Sequence, residues 1–362
     1  MDVFSRSKQT RRATHATLIG HTGYARCHRV ARMHVPSAPT SDSAESLRQA
    51  EIEQDLLLAR DIQQGLLLEA VPRLPGWEIS AVSLPARDLG GDLYDFLMID
   101  SKTHGIMIGD VSGKGLPAAL RMAVARTVFR HEARRGRAPA LALAGVNRGV
   151  LRDIPQGMVT MLYTTLDLQS GMLQIANAGH NYPVVLSSLV SEVELTGLPL
   201  GVDGDSDYGE VAHRLNHGDT VFFYTDGVIE AINPAGEIYG FERLEQLLRA
   251  HVGAKPRALV ARLLHELRAW SGGTQADDIT LVVVRRRYAS VGEELRLAAI
   301  DVLGSERAAA LWSSLALPER DAGARAWAEL VPEITGRAQA QFGRGSAREL
   351  SGQLRLVLEE YR

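Results

Sequence analysis

The chain has 362 residues, of which 45% are hydrophobic and 23% are charged, a composition typical of globular proteins with about two domains. Its 40 Lys and Arg residues against 43 Asp and Glu residues give a net charge of −3, which excludes a basic protein that coats nucleic acid. One cysteine excludes a disulfide framework, and no apolar run reaches the roughly 18 residues of a membrane span. We expect a cytoplasmic protein with no nucleic-acid partner.

Residues 1–42 differ in composition from the rest of the chain. They contain seven Lys or Arg residues and two Asp residues, and their apolar residues follow no sustained period. Such a segment cannot bury enough apolar surface to offset the entropy of its chain. We therefore predict a disordered basic segment.

Residues 43–71 are predicted to form a linker helix, with Ser43 as a candidate N-cap. A stripe along this helix has the spacing of a coiled coil, in steps of 4, 3, 4 and 3 residues. It consists of Ile52, Leu56, Ala59, Gln63 and Leu66. Two interpretations stay open at this point: the helix lies on the following domain, or it pairs with a second copy and makes a homodimer.

Residues 72–287 alternate between strand and helix patterns. Strands are predicted over 77–82, 106–109, 158–167, 173–178, 182–186, 209–215, 220–224 and 279–284, and helices over 116–134, 139–151, 241–252 and 256–270. Hairpin connections outnumber strand–helix–strand units. This pattern favours an α/β (α+β) fold in which helices flank antiparallel sheets.

Acidic residues stand at four boundaries of these strands, most of them beside glycine. They are Asp92, Asp110, Asp226 and the pair Asp277 and Asp278. Each one alone is adequately explained as a turn residue or a helix cap. Four together, without a matching basic cluster, favour a site for a hard divalent cation such as Mg²⁺ or Mn²⁺.

Seven motifs in order carry a resemblance to a known family. They are LARDIQQ (58–64), LPARDLGGDLYD (84–95), GDVSGKG (109–115), NAGHN (177–181), GLPLG (197–201), YTDGVIEA (224–231) and ADDIT (276–280). Together they resemble the metal-dependent serine/threonine protein phosphatases, the PPM or type 2C superfamily, in the bacterial branch of the sporulation stage II E phosphatase. The resemblance implies an α-β-β-α sandwich of two antiparallel sheets.

The resemblance also implies a metal centre with two Mn²⁺ or Mg²⁺ ions. Asp92 would bridge them, and Asp110 with the backbone carbonyl of Val111 would serve the first. The second would be held by Asp226 and by Asp277, with Asp278 as the alternative ligand. The water activated by the metals would be the nucleophile, and no side chain is assigned as a catalytic group beyond it.

Three further residues admit two interpretations each. Arg87 could bind the substrate phosphate or form a surface salt bridge. His180 could be a general acid, although its motif is a structural turn in this branch. Lys114 lies in a segment that resembles a phosphate loop but lacks its remaining glycine and hydroxyl residue, so a nucleotide site is rejected.

Residues 288–362 lie beyond the resemblance. Helices are predicted over 293–303, 307–315, 324–330 and 347–361, with glycine and proline between them. A helical cap, a docking module and a dimer element all fit this region, so its role stays open.

The branch implies a phosphorylated protein substrate, namely an anti-sigma-factor antagonist of the STAS type, and an upstream activator protein. Two alternatives are a signalling adaptor that kept the fold without catalysis and a phosphoesterase that acts on small molecules. Intact metal-ligand aspartates favour the enzyme over the adaptor.

Overall fold

The computed structural model describes residues 41–67, 71–154, 157–319 and 322–361. The chain divides into two units, Met1–Gln49 and Ala50–Arg362. Helix α1 runs over Ser41–Leu67, so it begins two residues before the predicted cap. The predicted disordered segment 1–42 lies outside the described residues, apart from the first two residues of this helix.

Ten strands within the described residues form two antiparallel sheets of five strands each. The first has the order β1-β10-β9-β6-β7, which are Trp77–Leu84, Ile279–Arg286, Thr220–Tyr224, Val184–Leu186 and Val190–Glu192. The second has the order β2-β3-β4-β5-β8, which are Leu93–Met98, Thr103–Val111, Val159–Asp167, Met172–Ala178 and Glu210–Arg214. Every pair of neighbouring strands is antiparallel, as the hairpin connections predicted.

Helices cover the outer face of each sheet. Helices α2 (Leu116–Ala133) and α3 (Pro139–Asp153) share one buried cluster with the second sheet, and α4 (Phe241–Ala250) and α5 (Pro256–Trp270) share another with the first sheet. A third cluster fills the space between the sheets and includes Tyr94, Ile108, Phe223 and Val284. The predicted α-β-β-α sandwich is therefore confirmed.

Two strands were missing from the prediction. Strand β2 begins directly after the glycine-rich acidic motif, whose turn residues hide the start of the strand. Strand β7 has only three residues and pairs with β6 alone. Both strands take their place from tertiary pairing rather than from a pattern of their own.

The C-terminal region is a helical bundle formed by α6 (Val291–Leu303), α7 (Ser305–Ser313), α8 (Ala324–Phe342) and α9 (Arg344–Glu360). The prediction that its third helix ends near residue 330 is wrong, since α8 continues through Pro332. Burial of Val331, Ile334 and Ala338 in the bundle core offsets the hydrogen bond that proline cannot donate. None of the described helices is both long and apolar enough to cross a membrane.

Candidate metal centre and phosphatase site

The strand topology brings the predicted acidic residues to one end of the sandwich. Antiparallel β9 and β10 place the residues after Tyr224 beside those before Ile279, which brings Asp226 close to the pair at 277–278. In the same way, β2 and β3 place Asp92 beside Asp110, because Leu93 pairs with Gly109. The loop from β1 to β2 crosses between the sheets at this end.

Asp92 lies at the centre of the group and is only 3% exposed. The Thr225 hydroxyl donates a hydrogen bond of 2.8 Å to Oδ2 of Asp92. The Thr280 backbone N–H donates in turn to Oγ1 of Thr225 at 2.9 Å. Residues at the end of the first sheet thus orient the carboxylate of Asp92, which directly precedes strand β2 of the second sheet.

Glycine allows the close approach that brings the Asp110–Val111 segment to this carboxylate. A Cβ at Gly91 would lie 2.6 Å from the Val111 carbonyl oxygen and 3.1 Å from Oδ1 of Asp110. Any other residue at position 91 would have to push that segment away. Glycine at position 91 is therefore required by the geometry of the site.

The carboxylates raise one another's pKa. Burial, followed by the charge of Asp110, raises the pKa of Asp92 well above its usual range. Burial and the charges of the neighbouring carboxylates raise the pKa of Asp110 to about 7. Burial and then the charge of Glu230 raise the pKa of Asp226. Such a group of carboxylates favours a bound cation, which would offset their repulsion.

Asp277 and Asp278 differ in their hydrogen bonds. Asp278 is buried, and its two oxygens accept from the backbone N–H groups of Ala86 and Gly91, each at 2.7 Å. Its carboxylate therefore anchors the loop that carries Asp92. Asp277 is partly exposed, and its Oδ1 accepts from the backbone N–H of Asp278 at 2.9 Å.

Lys114 reaches into the acidic group from the loop before α2. Its Nζ lies 2.7 Å from Oδ2 of Asp277 and donates to the Ala276 carbonyl oxygen at 2.8 Å. The charge of Lys114 also lowers the pKa of Asp226, against the larger effect of burial. The ammonium group thus pairs with one of the carboxylates that are predicted to hold a metal ion.

The oxygen donors fit Mg²⁺ or Mn²⁺, which prefer carboxylate and carbonyl ligands. Among the described residues, no three His, Cys, Asp or Glu side chains converge closely enough to make a finished coordination sphere. The donor chemistry therefore fits a divalent cation, and Asp277 meets the ammonium group of Lys114 in this structure.

Arg87 and His180 occupy different surroundings. Arg87 is exposed in the loop that Asp278 anchors, and it forms no ion pair within the described residues. His180 is buried, its Nδ1 lies 2.9 Å from the Thr160 hydroxyl, and burial lowers its pKa to about 4. Its backbone N–H donates to the Asn177 side chain at 2.8 Å, as expected for a structural turn.

The linker helix contacts the site loop through one member of the predicted stripe. Gln63 is 6% exposed; its Nε2 donates to the Gly90 carbonyl oxygen at 2.7 Å, and the Gly90 N–H donates back to its Oε1 at 3.2 Å. Leu56, Ala59 and Leu66 are half-buried, whereas Ile52 is exposed. The stripe therefore faces this chain near Gln63 and faces solvent near Ile52.

The sequence interpretation missed the role of three residues. Thr225 and Thr280 stand beside quoted acidic motifs, and their hydroxyls are the signal that could have marked them as partners of Asp92. Gln63 was noted as a stripe position, although a glutamine among apolar residues indicates a buried hydrogen-bond partner.

Comparisons with known proteins agree on the family. The family profile described as Stage II sporulation protein E (SpoIIE) matches residues 100–287. The chain is 31% identical over 245 residues to phosphoserine phosphatase RsbU of Bacillus subtilis, an alignment that covers 66% of this chain and 72% of RsbU. Phosphoserine phosphatase RsbP of the same organism is 25% identical, over 64% of this chain and 58% of RsbP.

Solved structures agree with these matches. The RsbU and RsbW domains of Rv1364c from Mycobacterium tuberculosis are 30% identical, with a TM-score of 0.54 over 64% of this chain and 70% of that chain. The SiaA-PP2C domain of Pseudomonas aeruginosa has a TM-score of 0.59 at 24% identity, over 66% of this chain and 98% of that domain, which supports the fold alone. The chain belongs to the SpoIIE family of PP2C-type serine/threonine phosphatases.

Proposed function

We propose that this chain hydrolyses phosphoserine or phosphothreonine on a regulatory protein with the help of two Mn²⁺ or Mg²⁺ ions. The observation that carries the proposal is the acidic group at one end of the sandwich. Asp92, Asp110 and Asp226 all have raised pKa values because they are buried close to like charges. Buried carboxylates that repel one another do not stabilise the fold, whereas they can bind a cation.

The ligand roles that we propose are those implied by the family, and the hydrogen bonds of Asp92 and Asp278 support two of them. Asp92, which Thr225 orients, would bridge the two ions, and Asp110 with the Val111 carbonyl would serve one of them. Asp226 and Asp277 would serve the other. Asp278 is the weaker alternative because both of its oxygens already accept backbone N–H groups.

When bound, the ions would supply an activated water and positive charge for the phosphoryl oxygens. The residues of this chain hold the donors apart, exclude bulk water from Asp92 and keep the loop at residues 86–91 in place. Exposed Arg87 on that loop is a candidate for a second contact with the phosphate. We assign no side chain as a general acid, since His180 is buried and its Nδ1 lies 2.9 Å from the Thr160 hydroxyl.

The substrate that we propose is a phosphorylated anti-sigma-factor antagonist of the STAS type, in a cytoplasmic pathway that regulates a sigma factor. Similarity to RsbU and RsbP, both named phosphoserine phosphatases, supports a phosphoserine protein as the substrate. We further propose a homodimer through the linker helix and control by an upstream activator protein. The domain boundaries of this proposal are 43–71 for the linker, 72–287 for the phosphatase and 288–362 for the helical bundle.

The test is Mn²⁺-dependent phosphate release, measured with a phosphorylated STAS protein and with p-nitrophenyl phosphate. Asp92→Ala and Asp226→Ala should each lower kcat by about a thousandfold or more, because removing a ligand of a catalytic ion removes most of its charge stabilisation. Asp205→Asn, which changes an exposed carboxylate away from the acidic group, is the matched control and should keep the activity.

Other outcomes identify the alternatives. Metal-dependent hydrolysis of p-nitrophenyl phosphate without hydrolysis of any phosphoprotein would indicate a small-molecule phosphoesterase. Absence of all activity, together with no heat of Mn²⁺ binding in calorimetry, would indicate a signalling adaptor. Full activity of Asp92→Ala would contradict the proposed metal centre.

A further inference from the structure

A cavity of about 620 Å³ opens beside Asp226, and Asp277 is not among the residues that line it. Its walls come from the turn at residues 177–182, the end of β7 with the segment after it, the end of β9 and the first residue of α4. Asp226 belongs both to this cavity and to the acidic group. A side chain in the cavity would therefore lie next to a phosphoryl group held at the metal centre.

The lining of this cavity suits a cation. Among the aromatic residues that line it, Tyr182 and Phe241 are partly exposed, whereas Tyr224 is buried. Its carboxylates are Asp226 and Glu192, and none of the described residues that line it is Lys or Arg. A guanidinium or ammonium group packs favourably against aromatic faces while it pairs with a carboxylate.

The charges around the cavity agree with this lining. Burial, followed by the charges of Glu194 and Glu245, raises the pKa of Glu192. His180 also lines the cavity, and its low pKa keeps the ring neutral at physiological pH. No positive charge in the lining therefore opposes a cation, and the acidic residues nearby attract one.

We propose that this cavity binds an arginine or lysine side chain of the substrate protein, close in sequence to the phosphorylated residue, with Glu192 as the specificity-determining partner. The inference rests on the proposed phosphatase function and adds to it the sequence context of the substrate. Glu192 acts on binding of the flanking residue and takes no part in the chemistry at the phosphoryl group.

The test uses phosphoserine peptides in which one arginine is moved through the positions on either side of the phosphoserine, with glutamine as the neutral counterpart. One arginine position should lower KM about fivefold to tenfold with kcat unchanged, as expected for one partly exposed ion pair on an aromatic surface. Glu192→Gln should abolish that preference, and Glu192→Lys should turn it toward a peptide with glutamate at the same position.

Two controls separate this inference from the proposed function. Hydrolysis of p-nitrophenyl phosphate, which has no flanking residue, should be the same in Glu192→Gln and wild type, and Glu306→Gln on the exposed face of α7 should keep the arginine preference. Anisotropy of fluorescein-labelled unphosphorylated peptides in EDTA measures binding to the cavity without hydrolysis.

The outcomes are distinct. Equal KM values for all arginine and glutamine peptides, or an arginine preference that persists in Glu192→Gln, would overturn the inference while the phosphatase function stands. If the protein hydrolyses nothing but binds arginine peptides through Glu192 in EDTA, the cavity assignment holds and the proposed function fails.

Discussion

Two of the clusters of buried charge within the described residues, the metal centre and the contact between the sandwich and the C-terminal bundle, are built in opposite ways. At the metal centre, Asp92 and its neighbouring carboxylates repel one another, and their pKa values rise. Where the sandwich meets the C-terminal bundle, fully buried Arg285 lies 2.7 Å from Glu78 and 2.9 Å from Glu294. Arg287 lies 3.6 Å from Glu78, so the second cluster pairs two cations with two carboxylates, whereas the carboxylates of the first outnumber their partner Lys114.

This difference separates structure from function. Arg285 stands at the end of β10 and Glu294 in the first turn of α6, so their ion pair ties the sandwich to the bundle. Glu294 also accepts the backbone N–H of Tyr288 at 2.7 Å. A cluster whose charges are paired within the chain does not require a ligand. A cluster with an excess of one charge is where we expect a ligand of the opposite charge to bind.

The largest effect on stability should come from breaking the balanced cluster. Glu294→Gln removes one of the two carboxylates that pair with buried Arg285 and leaves Glu78 as the other. Because charge-assisted hydrogen bonds are lost while one carboxylate partner remains, we expect the free energy of unfolding to fall by about 3 kcal/mol. Urea denaturation followed by circular dichroism measures this. The matched control is Glu329→Gln in the exposed pair with Arg325 of α8, which should leave the midpoint unchanged. Equal midpoints for Glu294→Gln and wild type would show that the ion pair does not hold the bundle.

The buried side chain of His180 is neutral at physiological pH. His180 has a pKa of about 4 in the folded protein because of its burial, against about 6.5 when unfolded. Between about pH 6.5 and pH 4, His180 is protonated in the unfolded chain and neutral in the folded protein. The contribution of His180 to the free energy of unfolding is therefore fully present above about pH 6.5 and is lost as the pH falls toward 4.

Measurement of the unfolding free energy between about pH 7 and pH 4 tests this sign. The loss that His180 contributes should reach about 3 kcal/mol at most, and it should be absent in His180→Gln. His265→Gln changes an exposed histidine and should keep the acid sensitivity of wild type. An identical pH profile in His180→Gln would assign the acid sensitivity to other groups.

The sequence predicted the sandwich well because its strands are separated by turn residues and its helices are amphipathic. Strand β10 and helix α5, for example, begin where the pattern placed them. Helix α8 could not be bounded in this way, since burial of Ile334 in the bundle overrides the proline signal. Short β7 is defined by its partner strand and carries no pattern of its own.

Candidate site residues were predictable where a carboxylate stands beside glycine at a strand end, as with Asp92 and Asp110. What the sequence could not supply is the direction of each hydrogen bond. The contrast between Asp277 and Asp278, two adjacent and identical side chains, depends on which of them faces the backbone of residues 86–91. The glutamine at position 63 indicates a buried hydrogen-bond partner, but no sequence pattern identifies that partner as Gly90, 27 residues away.

The unbalanced cluster gives a smaller prediction of its own. Lys114→Met removes the ammonium group that pairs with Asp277, and we expect the affinity for Mn²⁺ to rise about tenfold because the cation no longer competes with it. Calorimetry measures the affinity without turnover. Lys102→Met, which removes an exposed ammonium from the turn between β2 and β3, is the control. Unchanged or weaker Mn²⁺ binding in Lys114→Met would show that Lys114 supports the site rather than competing for it.

The smallest expected effect concerns the linker helix, which exposes apolar side chains. Ile52 is 53% exposed and Ile62 is 61% exposed, although Gln63 beside them is buried against Gly90. If α1 pairs with a second copy, Ile52→Glu should raise the dimer dissociation constant about tenfold, because it places like charges in an apolar seam. Light scattering over a dilution series measures this, with Gln54→Glu as a control that adds the same charge at another exposed position. A monomeric wild type, or equal dissociation constants for both variants, would leave the helix as a connection within one chain, with Gln63 as its contact to the metal centre.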